Sequence, residues 1–327
     1  MMKIEKVLLT GAAGYIGSVL ARRLLKRGFK VWGLDNLIFG DRGIKTIREN
    51  PEFRFIEADV RKTDSLRPIL NEVDAVVHLA ALSGMPTCAK YPELAQQINW
   101  LATKDLFDAS HETPCIKRFL FASSTSIYGA VKDREFVDEQ SPANPISLYG
   151  ELKARCEEYL GRSKLRSGFI PILLRFPTAY GLSPRIRFDL TVNEFTRDLT
   201  QGKALEIFGE NFWRPYCHVE DLARACIWAL EVDSNLVDQE VYCVGDTGEN
   251  YTKRMIYEAL SELIPEGKIS LVQKIEDLRD YRVDFSKIKK AGFNVTKTVR
   301  DGIREIHQAL RQGQIPNPFD PAHTSAL

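Results

Sequence analysis

No stretch of this 327-residue chain approaches the length of an apolar membrane span, and neither sign of charge dominates it. Lys plus Arg number 45 against 44 for Asp plus Glu, a formal net charge of +1, so nothing global draws the chain to nucleic acid or to an anionic membrane. The 6 cysteines, Cys88, Cys115, Cys156, Cys217, Cys226 and Cys243, make no C-x-x-C pair and have no metal-ligand spacing to histidine. That argues against a metal site and suits free thiols in a reducing compartment. There is no internal repeat and no low-complexity block, and only the tail from Gln314, rich in proline and polar residues, reads as loose. The opening M-M-K-I-E-K has no charged leader followed by an apolar stretch, so a cytoplasmic location is expected. A chain of this size can bury a core without a disulfide or metal staple, and the expected ligand is small.

What is present is organised around Lys6 to Asn36. Val7, Leu8 and Leu9 form a short apolar run ending at Thr10-Gly11, as a strand buried on both faces does. From Ile16 the apolar positions Val19, Leu20, Leu24 and Leu25 recur at helical spacing until Gly28, and Val31 to Leu34 reads as the next strand. Gly11, Gly14 and Gly17 sit in the turn of this β-α-β unit, where glycine allows a tight exit from the strand, close approach of a pyrophosphate and close helix packing. The first helical amides, around Tyr15 and Ile16, would hold the phosphates. Asp35 ends the second strand, followed by Asn36. A carboxylate there accepts the ribose hydroxyls of NAD and repels the 2′-phosphate of NADP.

Strand-like runs follow at Phe53 to Glu57, Ala75 to Leu79, Arg118 to Ala122 and Ile170 to Arg175. Helical patterns separate them at Leu66 to Val73, Pro92 to His111 and Tyr149 to Ser167. The alternation predicts an α/β fold of Rossmann type, a doubly wound parallel sheet with a smaller C-terminal substrate-binding lobe. The expected division is an NAD-binding domain over 1–176 and a mainly substrate-binding lobe over 177–327, with segments returning to the main domain. Asp59-Val60 is placed to meet an adenine ring. Leu79, Ala80 and Ala81 can pass beneath a cofactor, and the loop from Leu82 to Thr87, with Ser83, can line the pocket. His78, alone at the end of an apolar strand, is read as structural.

Tyr149 and Lys153 lie four apart on a predicted helix and so share a face. A phenol is a poor base at neutral pH, but a nearby ammonium and a cofactor's positive charge bias it toward phenolate, so an alcohol proton can be removed. Ser124, at the end of a serine-rich strand, can bond the same substrate oxygen.

The motifs T-G-A-A-G-Y-I-G, L-D-N, H-L-A-A, S-S-T-S-I-Y-G, Y-G-E-L-K, L-R-F-P-T-A-Y-G, W-R-P-Y-C-H-V-E-D-L-A-R-A and V-D-F-S-K-I span nearly the whole chain. Together they resemble the extended short-chain dehydrogenase/reductases, in particular the NAD-dependent nucleotide-sugar epimerase/dehydratase group. The resemblance implies Ser124, Tyr149 and Lys153 as a catalytic trio. It further implies Arg214, with Arg279 or Arg282, as the grip on a nucleotide diphosphate, and a homodimer pairing the helices at Pro92 to His111 and Tyr149 to Ser167. Thr125-Ser126 replaces the Asp-Glu pair of the 4,6-dehydratases, which argues against elimination of water. Thr178 stands where many members have asparagine. Asp189 would repel a phosphate unless Arg185 or Arg187 offsets it. The leading expectation is a C4 epimerase working through a transient 4-keto sugar, with a C4 dehydrogenase or 4-keto reductase as the alternative and a non-catalytic NAD-binding redox regulator as a third. No metal is expected.

Overall fold

The structure, a computed structural model, describes residues 4–131, 135–208, 210–272 and 279–325. In chain order its first half runs β1 (Lys6–Thr10), α1 (Tyr15–Arg27), β2 (Lys30–Asp35), β3 (Phe53–Glu57), α2 (Thr63–Leu70), β4 (Ala75–His78), α3 (Met85–Lys90), α4 (Pro92–Ala95), α5 (Ala102–Glu112), β5 (Arg118–Ser124), β6 (Phe136–Val137), α6 (Leu148–Arg162) and β7 (Ile170–Phe176). It continues with β8 (Thr178–Tyr180), α7 (Thr191–Thr200), β9 (Leu205–Phe208), β10 (Trp213–His218), α8 (Val219–Glu231), β11 (Val241–Cys243), β12 (Asn250–Thr252), α9 (Lys253–Leu263), β13 (Ile269–Val272), β14 (Arg282–Val283), α10 (Ser286–Lys290) and α11 (Val299–Arg311).

Seven strands pair in the order β11-β7-β5-β4-β1-β2-β3, every pair parallel. The apolar runs explain this: Val7 to Leu9, Ala75 to Val77 and Phe119 to Phe121 are buried on both faces, as only strands sandwiched between helix layers can be. On one face α1 and α8 share a core built from Val19, Leu20, Leu24, Leu222, Ala225 and Ala229. The other face is covered by α2, α5 and α6 through Leu66, Leu106, Phe107, Leu152 and Cys156. Strand order reverses direction between β1 and β4, so a crevice opens beyond their C-terminal ends.

Past Phe176 the chain serves both layers. Strands β8, β10 and β12 form a small separate sheet whose core includes Tyr180, Tyr216, Val192, Ile256 and Ile303. In contrast β11 returns to the edge of the main sheet beside β7. No described helix is long and apolar enough to cross a membrane.

Two local features depart from the sequence expectation. The helix expected over Pro92 to His111 is interrupted by a π-turn at Gln96–Leu101, between α4 and α5. The tail is held in place: Arg197 and Lys203 lie 4.7 and 3.6 Å from the centre of the Phe319 ring, Asp320 pairs with Arg42 at 2.8 Å, and Ser325 is buried.

Candidate active site

The crevice is floored by the glycine turn. Gly11 has φ +72, and a Cβ there would come within 2.9 Å of the Ala80 amide nitrogen, so the turns leaving β1 and β4 can approach this closely only at glycine. A Cβ on Gly17 would lie 2.0 Å from the Gly11 carbonyl oxygen, so it is the compactness of the turn that requires this residue. Helix α1 starts at Gly14 with no side-chain cap and no acidic residue in its first turn. Its leading amides and dipole therefore suit an anion. Ile16 is half-buried in that turn. Tyr15 begins α1, and its hydroxyl donates to the Gly181 carbonyl at 2.7 Å, while Asn193 donates to it at 3.1 Å. Its side chain ties the smaller lobe to α1, because a phenol buried this deeply needs polar partners.

Asp35 accepts the Ala13 amide at 3.0 Å and the Leu37 amide at 2.9 Å. Burial raises its pKa, and the two amides and the field of Arg185 oppose that. The carboxylate thus joins the end of β2 to the glycine turn and keeps acceptor capacity for ribose hydroxyls. Asn36 bonds Asp59, which is also held by Arg61, so the two residues meet at the ends of β2 and β3 beside the buried Val60. Leu79, Ala80 and Ala81 are half-buried along the crevice, and the Leu79 and Ala80 amides bond Thr10. These groups fit a dinucleotide: bare amides for its diphosphate, a carboxylate for ribose, and small residues where it lies flat.

His78 bonds Thr10 at 2.7 Å through Nδ1 and Thr103 at 2.9 Å through Nε2. Burial pushes its pKa down to about 3. It is a neutral, fully satisfied core group, in keeping with its structural reading.

Ser124 ends β5, and Tyr149 and Lys153 lie one turn apart on α6, so strand and helix bring the three together. Burial pushes the Tyr149 phenol up to about 12, while the Arg187 charge and a hydrogen bond with Ser124 pull it down. Lys153 Nζ donates to the Ala122 carbonyl at 2.6 Å and sits 5.8 Å from the centre of the Tyr149 ring. Its burial brings its pKa down to about 8. The ammonium is thus held on backbone beside the phenol, and Arg187, a residue the Y-x-x-x-K spacing does not reveal, adds a cationic pull on Tyr149.

Beyond the trio, Thr125 and Tyr281 share a hydrogen bond of 3.2 Å, and the Arg214 guanidinium lies 5.5 Å from the centre of the Tyr281 ring. Thr178 is in register with Tyr216 across β8 and β10. Burial pushes Tyr216 up to about 12, and both Arg214 and Arg279 act against that. The fields of both arginines thus reach one phenol. Arg282 instead stacks on Phe136 and Trp213, at 4.4 and 5.2 Å from their ring centres.

Asp189 does not confront the site as a lone negative charge. Arg187 holds it through two bonds, of 3.0 and 2.6 Å, and also donates to Ser83 at 3.1 Å and Ser325 at 2.8 Å. Burial would raise the Asp189 pKa, but Arg187 and Ser325 outweigh it and bring it to about 2. Ser83 is thereby joined to the tail and the smaller lobe. Sequence reasoning also missed Asn99, carried inward by the π-turn to bond Leu82. A π-turn leaves no composition signal by which it could have been found.

Comparison with known proteins matches residues 7–245 to the model of the NAD dependent epimerase/dehydratase family. The UDP-glucose 4-epimerase of Lactobacillus helveticus is 31% identical over 79% of this chain and 81% of its own. Among solved structures, the UDP-glucose 4-epimerase of Thermus thermophilus in complex with NAD superposes with a TM-score of 0.80 at 27% identity, covering 94% of this chain and 99% of that one. The UDP-glucuronic acid 4-epimerase from Bacillus cereus, in complex with UDP-glucuronic acid and NAD, gives 0.81 at 27% identity with the same coverage.

Proposed function

The chain belongs to the NAD dependent epimerase/dehydratase family, and from that membership we propose that it is an NAD-dependent enzyme inverting C4 of a nucleotide-linked sugar. The observation that carries the reading is the half-buried Tyr149 beside Ser124 at the end of β5, with the buried Lys153 one turn away on α6. NAD supplies the hydride acceptor and donor. Tyr149 takes the proton of the C4 hydroxyl as the carbonyl forms and returns it when that carbonyl is reduced on the opposite face. Ser124 bonds the same oxygen in both directions. Lys153 and Arg187 favour the phenolate, and the buried setting keeps water from the keto sugar. Arg214 and Arg279 hold the diphosphate, with Thr125, Thr178 and Ser83 along the sugar's side.

The test is a panel of nucleotide sugars incubated with purified protein, with NADH absorbance followed and products resolved by chromatography. A stereoisomer with no net NADH is the expected result. Stoichiometric NADH with a keto product, or NADH consumed by a keto sugar, would replace the epimerase with a dehydrogenase or reductase. No turnover despite NAD binding would favour a regulator.

A homodimer through α5 and α6 also fits. Leu101, at the start of that surface, is 47% exposed, and Arg155 from α6 covers Trp100 at 4.2 Å. Light scattering should give twice the chain mass, and Leu101→Glu should shift it toward the monomer. The six free thiols fit a cytoplasmic setting.

A further inference from the structure

Arg185 is buried, 4% exposed, on the segment that joins β8 to α7. Its Nη2 donates to the Thr324 carbonyl at 2.8 Å, and its guanidinium lies 4.5 Å from the centre of the Phe39 ring. Its Nε has no hydrogen-bond partner among the described residues. The two carboxylates whose fields reach it are already engaged. Asp189 is held by Arg187 and Ser325, and Asp35 by the Ala13 and Leu37 amides. A buried cation with an orphaned donor and no carboxylate of its own is costly unless an anion meets it.

Its surroundings locate that anion. Ser183, two residues earlier, donates to the Tyr15 carbonyl at 2.7 Å, shares a 3.0 Å hydrogen bond with Ser18 and accepts the Arg185 amide at 3.2 Å. The Arg185 segment is therefore docked on the first turn of α1, the end with no side-chain cap and no acidic residue. We infer that Arg185 is a cofactor-binding residue that contacts the diphosphate of NAD beside the first turn of α1, held there by the carbonyl of Thr324 in the folded-back tail. The inference rests on the NAD-dependent reading above. The tail explains how the arginine keeps its place: Asp320 ties it to Arg42 at 2.8 Å, and the Ser325 carbonyl accepts from Thr87 at 3.2 Å, so it crosses between the loop that follows β2 and helix α3. Burial and the neighbouring Arg187 push the Arg185 pKa down to about 10, the direction expected of a cation short of negative partners.

The test is calorimetric binding to the full chain stripped of co-purified nucleotide, with NAD, ADP-ribose and adenosine as probes. Arg185→Met should weaken NAD and ADP-ribose roughly ten- to a hundredfold, the range for a charge-assisted hydrogen bond, and leave adenosine within about twofold. Unchanged ADP-ribose affinity, or an equal loss for adenosine, would overturn the inference. Should Arg185→Met fail to fold, the series Arg, Lys, Gln at this position must lose ADP-ribose affinity in that order while adenosine stays level. Equal affinities overturn it. Wild-type protein that does not bind NAD would remove the cofactor reading and this inference together, whereas normal wild-type binding with an unaffected variant removes the inference alone.

Discussion

Asn99 and Leu82 exchange two hydrogen bonds, both of 2.8 Å: the Leu82 amide donates to Asn99 Oδ1, and Asn99 Nδ2 donates to the Leu82 carbonyl. The π-turn is what turns Asn99 inward, so an irregularity in one helix fixes the loop that leaves β4 beside the crevice.

Replacing Asn99 with Leu would strip the buried Leu82 amide of its acceptor and leave the Leu82 carbonyl with the weak Cys88 thiol donor. Stability should fall by about 2–4 kcal/mol, read as a lower denaturant midpoint at unchanged slope. NAD affinity should fall too, since the loop carrying Ser83 loses its anchor. A variant as stable as wild type would show that the pair contributes nothing.

Tyr149→Phe removes one hydroxyl and little volume. Turnover should drop by about a thousandfold, within the range for a general acid-base group, while calorimetry finds NAD binding unchanged. Retained activity would sink the assignment of the proton step to Tyr149.

Lys153 yields a pH signature. Its pKa is lowered by burial to about 8 from an ordinary 10.5. Between these values the unfolded chain binds more protons than the folded one, so this group's contribution to stability is most unfavourable below pH 8 and improves as pH rises toward 10.5. Measured against Lys153→Met, wild-type stability should gain with pH across that window, by at most about 3 kcal/mol. Parallel curves for the two proteins would contradict the burial of a charged ammonium here.

Two glycine-to-alanine changes should act in opposite directions. At Gly17 the new methyl group would meet the Gly11 carbonyl oxygen at 2.0 Å, so the turn must open and both NAD affinity and stability should fall. Gly161, in α6, has nothing within 4 Å of the added carbon. There alanine should stabilise by roughly 0.5–1 kcal/mol through helix propensity. Thermal denaturation of the pair, with and without NAD, separates the two.

Much of the fold is legible because its signals are local. Val7 to Leu9, Ala75 to Val77 and Phe119 to Phe121 read as strands buried on both faces, and α1 shows its helical spacing and its Gly28 stop in the chain itself. The trio is legible for the same reason: four residues make one helical turn, so Tyr149 and Lys153 share a face in any fold that keeps α6. The tail is not legible in this way. Its proline-rich composition resembles that of a loose end, whereas the partners that hold it, Arg42, Arg185, Arg187 and Thr87, are remote in sequence.

The sequence by itself determined the layered α/β architecture, the glycine turn between β1 and α1, and the spacing of Tyr149 and Lys153 on one helical face, because periodicity and short spacings act within a few residues. Tertiary structure alone decided that Arg282 lies over Phe136 and Trp213. It also decided which of the two arginines pairs with Asp189, that the charge of Arg187 reaches Tyr149, and that the buried Arg185 is left with an orphaned donor. Those outcomes depend on which groups folding brings together and how deeply it buries them, since the strength of a charge interaction is set by separation and burial, and neither is written in the order of residues along the chain.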